Sequence, residues 1–201
     1  MLGLAIVITG GLQIAFPYMW ISLPAQGRVV GRVNNAGIED VVAVAAWTLK
    51  GWEGANVKQL QVLEATSGQD GRFTLAGWGP RFRIGQGRIR EEAPDVWIFH
   101  QGYLPLRTRN AAAGYGDAGT LLRTRLPVLV LSRPSSAAEY SHAIDELTAE
   151  LIREFSSSPC SYRHIPRMMM AIQDAREDLA KQGQRPAAAF GDAPNLCDHP
   201  R

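Results

Sequence analysis

The chain has 201 residues, of which 46% are hydrophobic and 20% charged, a composition typical of a folded protein rather than a disordered one. The formal net charge of +2 excludes a general nucleic-acid binder, because such proteins need clustered and unopposed basic residues. Two cysteines are too few for a four-cysteine zinc site or for a framework of several disulfides.

The first predicted element is an apolar helix within residues 1–26. Residues 2–23 contain no Asp, Glu, Lys, Arg or His, and about 20 helical residues cross the hydrocarbon layer of a membrane. This segment therefore predicts an uncleaved membrane anchor. A cleaved secretory signal ending before Gln26 is one alternative. A buried strand or helix of the folded domain is another.

Residues 27–133 show the alternation of short β-strands. Apolar side chains recur at every second position in several runs, which Gly, Asn and Asp separate. The run at positions 40–49 is apolar on both faces and is therefore expected at the centre of a sheet, and positions 121–131 are expected to form one long final strand. The count of about seven strands predicts a mainly β fold, a seven-stranded β-sandwich.

Several segments of this region carry a resemblance to a known family. They are positions 27–33 (GRVVGRV), Gly37, positions 42–47, positions 66–75 (TSGQDGRFTL), and Gly102 with Tyr103. The stretch at 66–75 is the most specific, because its turn requires Gly71 and the following strand points Phe73 and Leu75 inward. Over residues 27–109 the chain resembles the carboxypeptidase regulatory-like domain. Ile38, where the family often has Pro, and an insertion at 79–94 depart from its pattern.

The resemblance implies a transthyretin-like, or prealbumin-like, Greek-key sandwich. It also implies an accessory, non-catalytic module of exported and envelope proteins. An exported domain suits the pair of cysteines as well. Arg28 and Arg32 follow the apolar segment and by the positive-inside tendency favour the opposite orientation. We nevertheless predict a periplasmic or extracellular face for the domain.

Residues 134–182 are predicted to form a helical hairpin, followed by a flexible tail at 183–201. The first helix is expected to start with a capping box of Ser136 and Glu139. The second begins near Pro166. Both helices are expected to cover a face or an edge of the sandwich, or a partner. The apolar stripe of the first helix is Tyr140, Ile144, Leu147, Leu151 and Phe155. Its solvated side is expected to hold Asp145, Glu146, Glu150 and Glu154.

The cysteines favour a single disulfide between Cys160 and Cys197, which would hold the tail at the start of the second helix. With His164 and His199 they form the only metal-like set in the sequence. The spacings C-x3-H and C-x-H match no common zinc module. The sequence therefore predicts neither a metal site nor a cofactor.

The sequence predicts no catalytic residues. Transthyretin-type hydrolases of hydroxyisourate use a His, Arg, His constellation and a C-terminal tetrapeptide, which this chain lacks. Intradiol dioxygenases hold iron with two Tyr and two His, and that spacing is not seen either. His100 follows the apolar run VWIF and is interpreted as a strand-end histidine bonded to backbone.

The predicted binding residues lie in the insertion. They are Arg81, Arg83, Arg88 and Arg90. Because apolar residues alternate with them, an extended chain would present the arginines on one side to an anionic polymer, lipid head groups or an acidic partner. The alternative is an ordinary hairpin whose arginines pair with Glu91, Glu92 and the acidic first helix.

These features together predict a non-catalytic, membrane-tethered module with a binding or structural role at the cell envelope. Its expected partners are the membrane, through residues 2–23, and another envelope protein or an anionic polymer, but no nucleic acid. Two alternatives remain open. One is a small transthyretin-type hydrolase, and the other is an assembly partner that docks through its helical hairpin or its arginines.

Overall fold

The computed structural model describes residues 19–51, 53–82, 87–111, 121–156 and 159–184, without the side chains of Val57 and Pro159. Ten strands and two α-helices, the latter joined through a 3₁₀ helix, lie within these ranges. The strands are β1 (Met19–Ser22), β2 (Ala25–Gly31), β3 (Val42–Lys50), β4 (Asn56–Thr66), β5 (Arg72–Leu75), β6 (Trp78–Phe82), β7 (Asp95–Phe99), β8 (Leu106–Thr108), β9 (Leu121–Leu122) and β10 (Val128–Leu131). The helices are α1 (Ala137–Phe155), the 3₁₀ helix (Pro159–His164) and α2 (Pro166–Lys181).

The strands form three sheets. One has four antiparallel strands in the order β4-β3-β7-β8. The other two have three strands each, β10-β2-β5 and β6-β1-β9, and each pairs its middle strand antiparallel on one side and parallel on the other. The same three stretches of chain supply both small sheets, because β1 runs into β2, β5 into β6, and β9 into β10.

The prediction of a seven-stranded sandwich was wrong, because the structure has ten strands in three sheets. Pro24 separates β1 from β2, since proline has no N–H to donate to a ladder. Gly77 separates β5 from β6 where the chain passes Pro24 so closely that a Cβ would lie 2.9 Å from its Cδ. The expected long strand at 121–131 is two short strands. Between them the backbone N–H of Arg125 bonds to the side chain of Asn110 at 2.9 Å.

The predicted N-terminal helix was also wrong where the structure describes it. Residues 19–22 form β1, not the end of a helix over residues 2–23. Residues 1–18 lie outside the described residues. Of the helices within the described ranges, none combines the length and the apolar character that a membrane crossing requires.

The four-stranded sheet is the middle of three layers. On β3, Ala43, Ala45 and Trp47 join a core shared with the small sheets, in which Val29 and Phe73 are also buried. The alternate β3 residues, Val42, Val44 and Ala46, belong to a second core that they form with the two helices. Because side chains alternate along a strand, β3 is buried on both faces. Its predicted central position is confirmed by its pairing with β4 and β7.

The two helices predicted for the C-terminal region are confirmed, but Glu154, expected on the solvated side of the first helix, is buried. All five residues of the predicted apolar stripe on α1 are buried. Ser136 caps the helix, and its Oγ accepts the N–H of Glu139 at 3.1 Å. The Glu139 carboxylate accepts hydrogen bonds from the hydroxyl and backbone N–H of Ser135, which lower the pKa of Glu139. The predicted tail at 183–201 lies almost entirely outside the described residues.

The turn before β5 requires glycine, as the sequence predicts. Gly71 has a φ of +75°, and a Cβ there would lie 2.1 Å from the carbonyl oxygen of Val29. The backbone N–H of Val29 in turn donates to the carbonyl of Gly71 at 2.8 Å. Phe73 and Leu75 then point into the core.

Candidate functional site

Glu154, near the end of α1, is bound to the four-stranded sheet. It is only 6% exposed. Thr48 Oγ1 donates to its carboxylate, Asn56 Nδ2 donates to Oε2 at 3.2 Å, and Lys50 Nζ lies 3.8 Å from Oε2. Gln59 Nε2 donates to the backbone carbonyl of Glu154 at 3.2 Å. The carboxylate therefore joins α1 to β3 and β4, and each of its oxygens accepts a hydrogen bond from the sheet.

Glu64 on β4 caps the N-terminus of α2. Its two carboxylate oxygens accept the backbone N–H groups of Arg167 at 3.1 Å and Met168 at 2.8 Å. The residue at the N-cap position, Ile165, makes no side-chain cap. The first N–H groups of a helix have no acceptor within the helix. Glu64, a strand residue, therefore supplies the capping carboxylate that the residues before α2 do not provide.

A third polar cluster lies where β7 and β8 meet α1. Trp97 Nε1 donates to Glu150 Oε2 at 2.9 Å, and Arg107 bonds to Asp95 at 2.9 Å and to Glu150 at 3.3 Å. Arg109 bonds to the same oxygen of Asp95 at 2.8 Å. The Arg107 guanidinium also lies 5.4 Å from the Trp97 ring centroid. Burial alone would lower the pKa of Arg107, but the carboxylates outweigh it and raise that pKa.

The predicted binding arginines are not gathered on one described face. Arg81 lies on β6, where it donates to Gln61 Oε1 on β4 at 2.8 Å. Arg83 lies outside the described residues. Arg88 exchanges two backbone hydrogen bonds with Lys50 at the end of β3. Arg90 lies 3.9 Å from Glu92, which is the pairing that the hairpin alternative expects.

Alternation nevertheless holds for the second half of the predicted ribbon. Ile89 is 1% exposed in the core, so its neighbours Arg88 and Arg90 point outward. The alternation of buried and exposed residues fails around Arg81, because Pro80 and Phe82 on either side of Arg81 are exposed as well. The structure thus supports an outward-facing pair of arginines, beside a separate arginine on β6.

Asn110 brings further arginines together that the binding prediction did not include. Its Nδ2 donates to the carbonyls of Glu91 at 3.1 Å and Arg123 at 2.8 Å, and its Oδ1 accepts the N–H of Arg125. Three loops therefore meet at one amide side chain. They carry the exposed side chains of Arg90, Arg109, Arg123 and Arg125. The sequence gives no signal for this meeting, because the loops are far apart along the chain.

His100 lines a cleft of about 510 Å³ with Tyr103 and Arg133. It follows the end of β7, and its Nδ1 donates to the carbonyl of Gln101 at 2.7 Å, as the strand-end interpretation predicts. Tyr103 lies edge-on to its ring at 5.4 Å, and Arg133 lies 5.5 Å from the Tyr103 ring. Within the described ranges His100 has no hydrogen bond to a second titratable side chain, which a transthyretin-type hydrolase would require.

The phenol of Tyr140 supports the same corner of the fold. Its hydroxyl accepts the backbone N–H of Gly102 at 3.0 Å, and Gln101 Nε2 donates to Asp178 on α2 at 2.6 Å. Burial raises the pKa of Tyr140, and the hydrogen bond from Gly102 offsets part of that rise. The turn after β7 is thereby held against both helices.

A groove of about 790 Å³ runs between the edges of β4 and β5. The charged side chains along it have partners of their own. Arg72 lies 3.2 Å from Asp70, and Arg167 Nη1 donates to Thr66 Oγ1 at 2.9 Å. This groove therefore offers mainly the free edges of two strands.

The structure gives no metal centre among the residues it describes, since no group of three or more His, Cys, Asp or Glu converges there. Cys160 is disulfide-bonded. Its predicted partner Cys197, like His199, lies outside the described residues. His164 ends the 3₁₀ helix and is exposed.

No family model and no curated protein matches the chain. Among solved structures, it is similar to 3-chlorocatechol 1,2-dioxygenase from Rhodococcus opacus at 16% identity, with 57% of this chain and 60% of that one covered and a TM-score of 0.35. Hydroxyquinol 1,2-dioxygenase from Pseudomonas putida matches at 14% identity, with 57% of each chain covered and a TM-score of 0.35. The chain spans less than two thirds of either enzyme, and similarity this low bears on neither its fold nor its activity.

Proposed function

We propose that this chain is a non-catalytic, membrane-tethered module with a binding or structural role at the cell envelope. The observation that supports this most is where its carboxylates bind. Glu154, Glu64 and Glu150 each connect a helix to the four-stranded sheet. A general base needs a lone pair directed at its substrate, whereas each oxygen of these carboxylates accepts a hydrogen bond from the protein. Their role is to hold the helical layer on the four-stranded sheet.

The tether is the N-terminal apolar segment. Since β1 begins at Met19, residues 2–18 are the part of this segment left to form a membrane-spanning helix. Their number is near the lower limit for such a helix, which is about 17 residues. None of them is Asp, Glu, Lys, Arg or His. The resemblance of residues 27–109 to the carboxypeptidase regulatory-like domain agrees with an accessory module at the envelope.

The groups that we propose for binding are the outward-facing arginines. Arg88 and Arg90 lie on the outer side of a segment that Ile89 fixes in the core. Guanidinium groups bind carboxylates and phosphates through paired hydrogen bonds. We therefore expect an anionic partner, either an acidic surface of another envelope protein or an anionic polymer.

Membrane fractionation tests the tether. The full chain, with a C-terminal tag, is expected in the membrane fraction and should resist extraction with alkaline carbonate. A full-length control with Ile8→Lys and Leu12→Lys should move to the soluble fraction, because each charge costs about 3 kcal/mol at the centre of a span. Recovery of the unsubstituted chain in the soluble fraction would contradict the proposal.

An activity assay tests the non-catalytic part. The cleft beside His100 is the candidate site for hydrolase activity, because it combines an imidazole with Arg133 and Tyr103. We expect the purified chain not to hydrolyse hydroxyisourate above the uncatalysed rate. Turnover that disappears in His100→Ala, with the fold unchanged by circular dichroism, would overturn this part and favour the hydrolase alternative.

A further inference from the structure

The outer face of the sheet β6-β1-β9 is apolar. The register places Met19 opposite Phe82, and Ile21 opposite Leu121. Opposed residues point to the same face, and Met19 and Ile21 share a face because they are two positions apart. The alternate residue Trp20 points inward and is 4% exposed. One face of this small sheet therefore joins the core, and the other presents four apolar side chains outward.

Part of this outer face is exposed, while Met19 and Ile21 are half-buried. Phe82 is 72% exposed and Leu121 47%, and Leu23, the next residue of the same alternation, is 41% exposed. Single exposed apolar residues are ordinary on protein surfaces, whereas a group on one face indicates an interaction site. No described element covers the group. By contrast, the exposed Val33 stands alone beyond the opposite end of β2.

Arginines flank the apolar face. Arg123 and Arg125 follow β9, and both side chains are exposed. Among the described carboxylates, none forms an ion pair with either of them. Arg81 lies opposite the inward-facing Trp20 and donates to Gln61 on β4, so it does not belong to this face. Apolar side chains beside unpaired basic ones are the pattern of a surface that lies at a membrane interface, where arginine meets anionic headgroups.

The chain itself brings this face to the membrane. Residues 2–18 include no Asp, Glu, Lys, Arg or His and lead directly into Met19, the first residue of β1. One residue spans at most about 3.6 Å, so no spacer separates the apolar segment from the sheet. Since β1 is the middle strand of β6-β1-β9, its neighbours are held close to the same point.

We propose that the outer face of β6-β1-β9 rests on an anionic lipid bilayer, with Phe82 and Leu121 at the acyl boundary and Arg123 and Arg125 among the headgroups. This inference rests on the proposed function, because it assumes that residues 2–18 anchor the chain. It adds an orientation: the small sheet faces the lipid. The domain is thus held against the membrane surface and does not swing freely from its anchor.

Spin labels on the full chain in lipid vesicles test this contact. A nitroxide is attached at Phe82→Cys or Leu121→Cys, and Val33→Cys is the matched control because it too replaces an exposed apolar residue. The vesicles contain phosphatidylcholine with phosphatidylglycerol. We expect oxygen, which concentrates in lipid, to relax the labels at 82 and 121 more than a water-soluble nickel complex does. The order should reverse at position 33.

The outcomes separate the two proposals. If the chain is firmly incorporated but the labels at 82 and 33 are equally accessible to the nickel complex, the contact is refuted and the anchor stands. If the label at 82 is shielded from both reagents, protein covers the face and the contact is again refuted. If the chain does not enter vesicles, the proposed function fails and this inference fails with it.

A charge variant tests the headgroup contribution. Arg123→Gln with Arg125→Gln should reduce the oxygen preference at position 82 in vesicles that contain phosphatidylglycerol. In vesicles of pure phosphatidylcholine the substitutions should change little, because the attraction depends on anionic lipid. An equal reduction in both kinds of vesicle would show that the arginines act through the fold, and would remove the anionic headgroups from the proposal.

Discussion

The carboxylates of the helical layer show how a single residue departs from a sequence pattern. Glu154 belongs to the side of α1 that periodicity assigns to solvent, and that prediction is wrong because the residue is 6% exposed. Glu146 on the same helix is exposed, as predicted. The difference comes from Thr48 and Asn56, which lie on strands a hundred residues away and supply donors at the end of the helix.

Removing the Glu154 carboxylate should destabilise the protein strongly. In Glu154→Ala the donors of Thr48 and Asn56 and the charge of Lys50 lose their acceptor inside the fold, so we expect a loss of about 3 kcal/mol in the free energy of unfolding. Urea denaturation measures it. Glu146→Ala is the control and should change stability by no more than about 0.5 kcal/mol. Equal effects of the two substitutions would contradict the role assigned to Glu154.

At the scale of elements, local periodicity correctly predicts the two C-terminal helices and the central strand. The stripe on α1 and the two-sided apolar run of β3 are properties of neighbouring residues, which the sequence displays directly. The small sheet β6-β1-β9 is not local in this sense. Its strands β1 and β6 were not predicted, because residues 2–23 were expected to form a helix and 79–94 an insertion. The close approach of Gly77 to Pro24 exists only because these two strands pair.

Glu64 belongs to this scale, since it caps a helix from another element. Glu64→Ala should leave the first N–H groups of α2 without an acceptor and cost about 1 to 2 kcal/mol of stability. Hydrogen exchange should also accelerate at the amides of Arg167 and Met168. Glu39→Ala, at an exposed loop position, serves as the control and should leave those amides unchanged. Faster exchange in both variants would argue against a specific cap.

The whole molecule consists of three layers that share one sheet. β3 contributes alternate residues to the core beneath the small sheets and to the core beneath the helices. Neither core is complete without it. The layers should therefore unfold together, even though each outer layer touches the middle sheet on a different face.

A cavity in the helical layer tests this coupling. Leu151 on α1 is fully buried, and Leu151→Ala should cost about 2 to 5 kcal/mol. The transitions followed by far-ultraviolet circular dichroism and by tryptophan fluorescence should shift by the same amount, because Trp47 and Trp97 report the two cores. Met170→Ala is the control, since Met170 is 59% exposed. Two separate transitions in Leu151→Ala would refute the coupling.

The candidate surfaces were only partly predictable. The alternation around Ile89 correctly predicts that Arg88 and Arg90 point outward. It cannot predict that Asn110 gathers Arg123 and Arg125 beside them, because that depends on three loops meeting. Nor does it predict the exposed Phe82, since an aromatic residue in a strand pattern normally indicates a core position and only the register with Met19 shows which face it occupies.

The parallel pairing of β2 with β10 has a consequence for synthesis of the chain. Arg28 lies beside Val128 in this register. One edge of β2 therefore stays unpaired until the ribosome has synthesised β10, about a hundred residues later. The nascent chain keeps that edge unpaired throughout this interval, and an unpaired strand edge is able to pair with other chains. Closure of the small sheets is then a late step of biogenesis, and only the helical layer remains to be added after it.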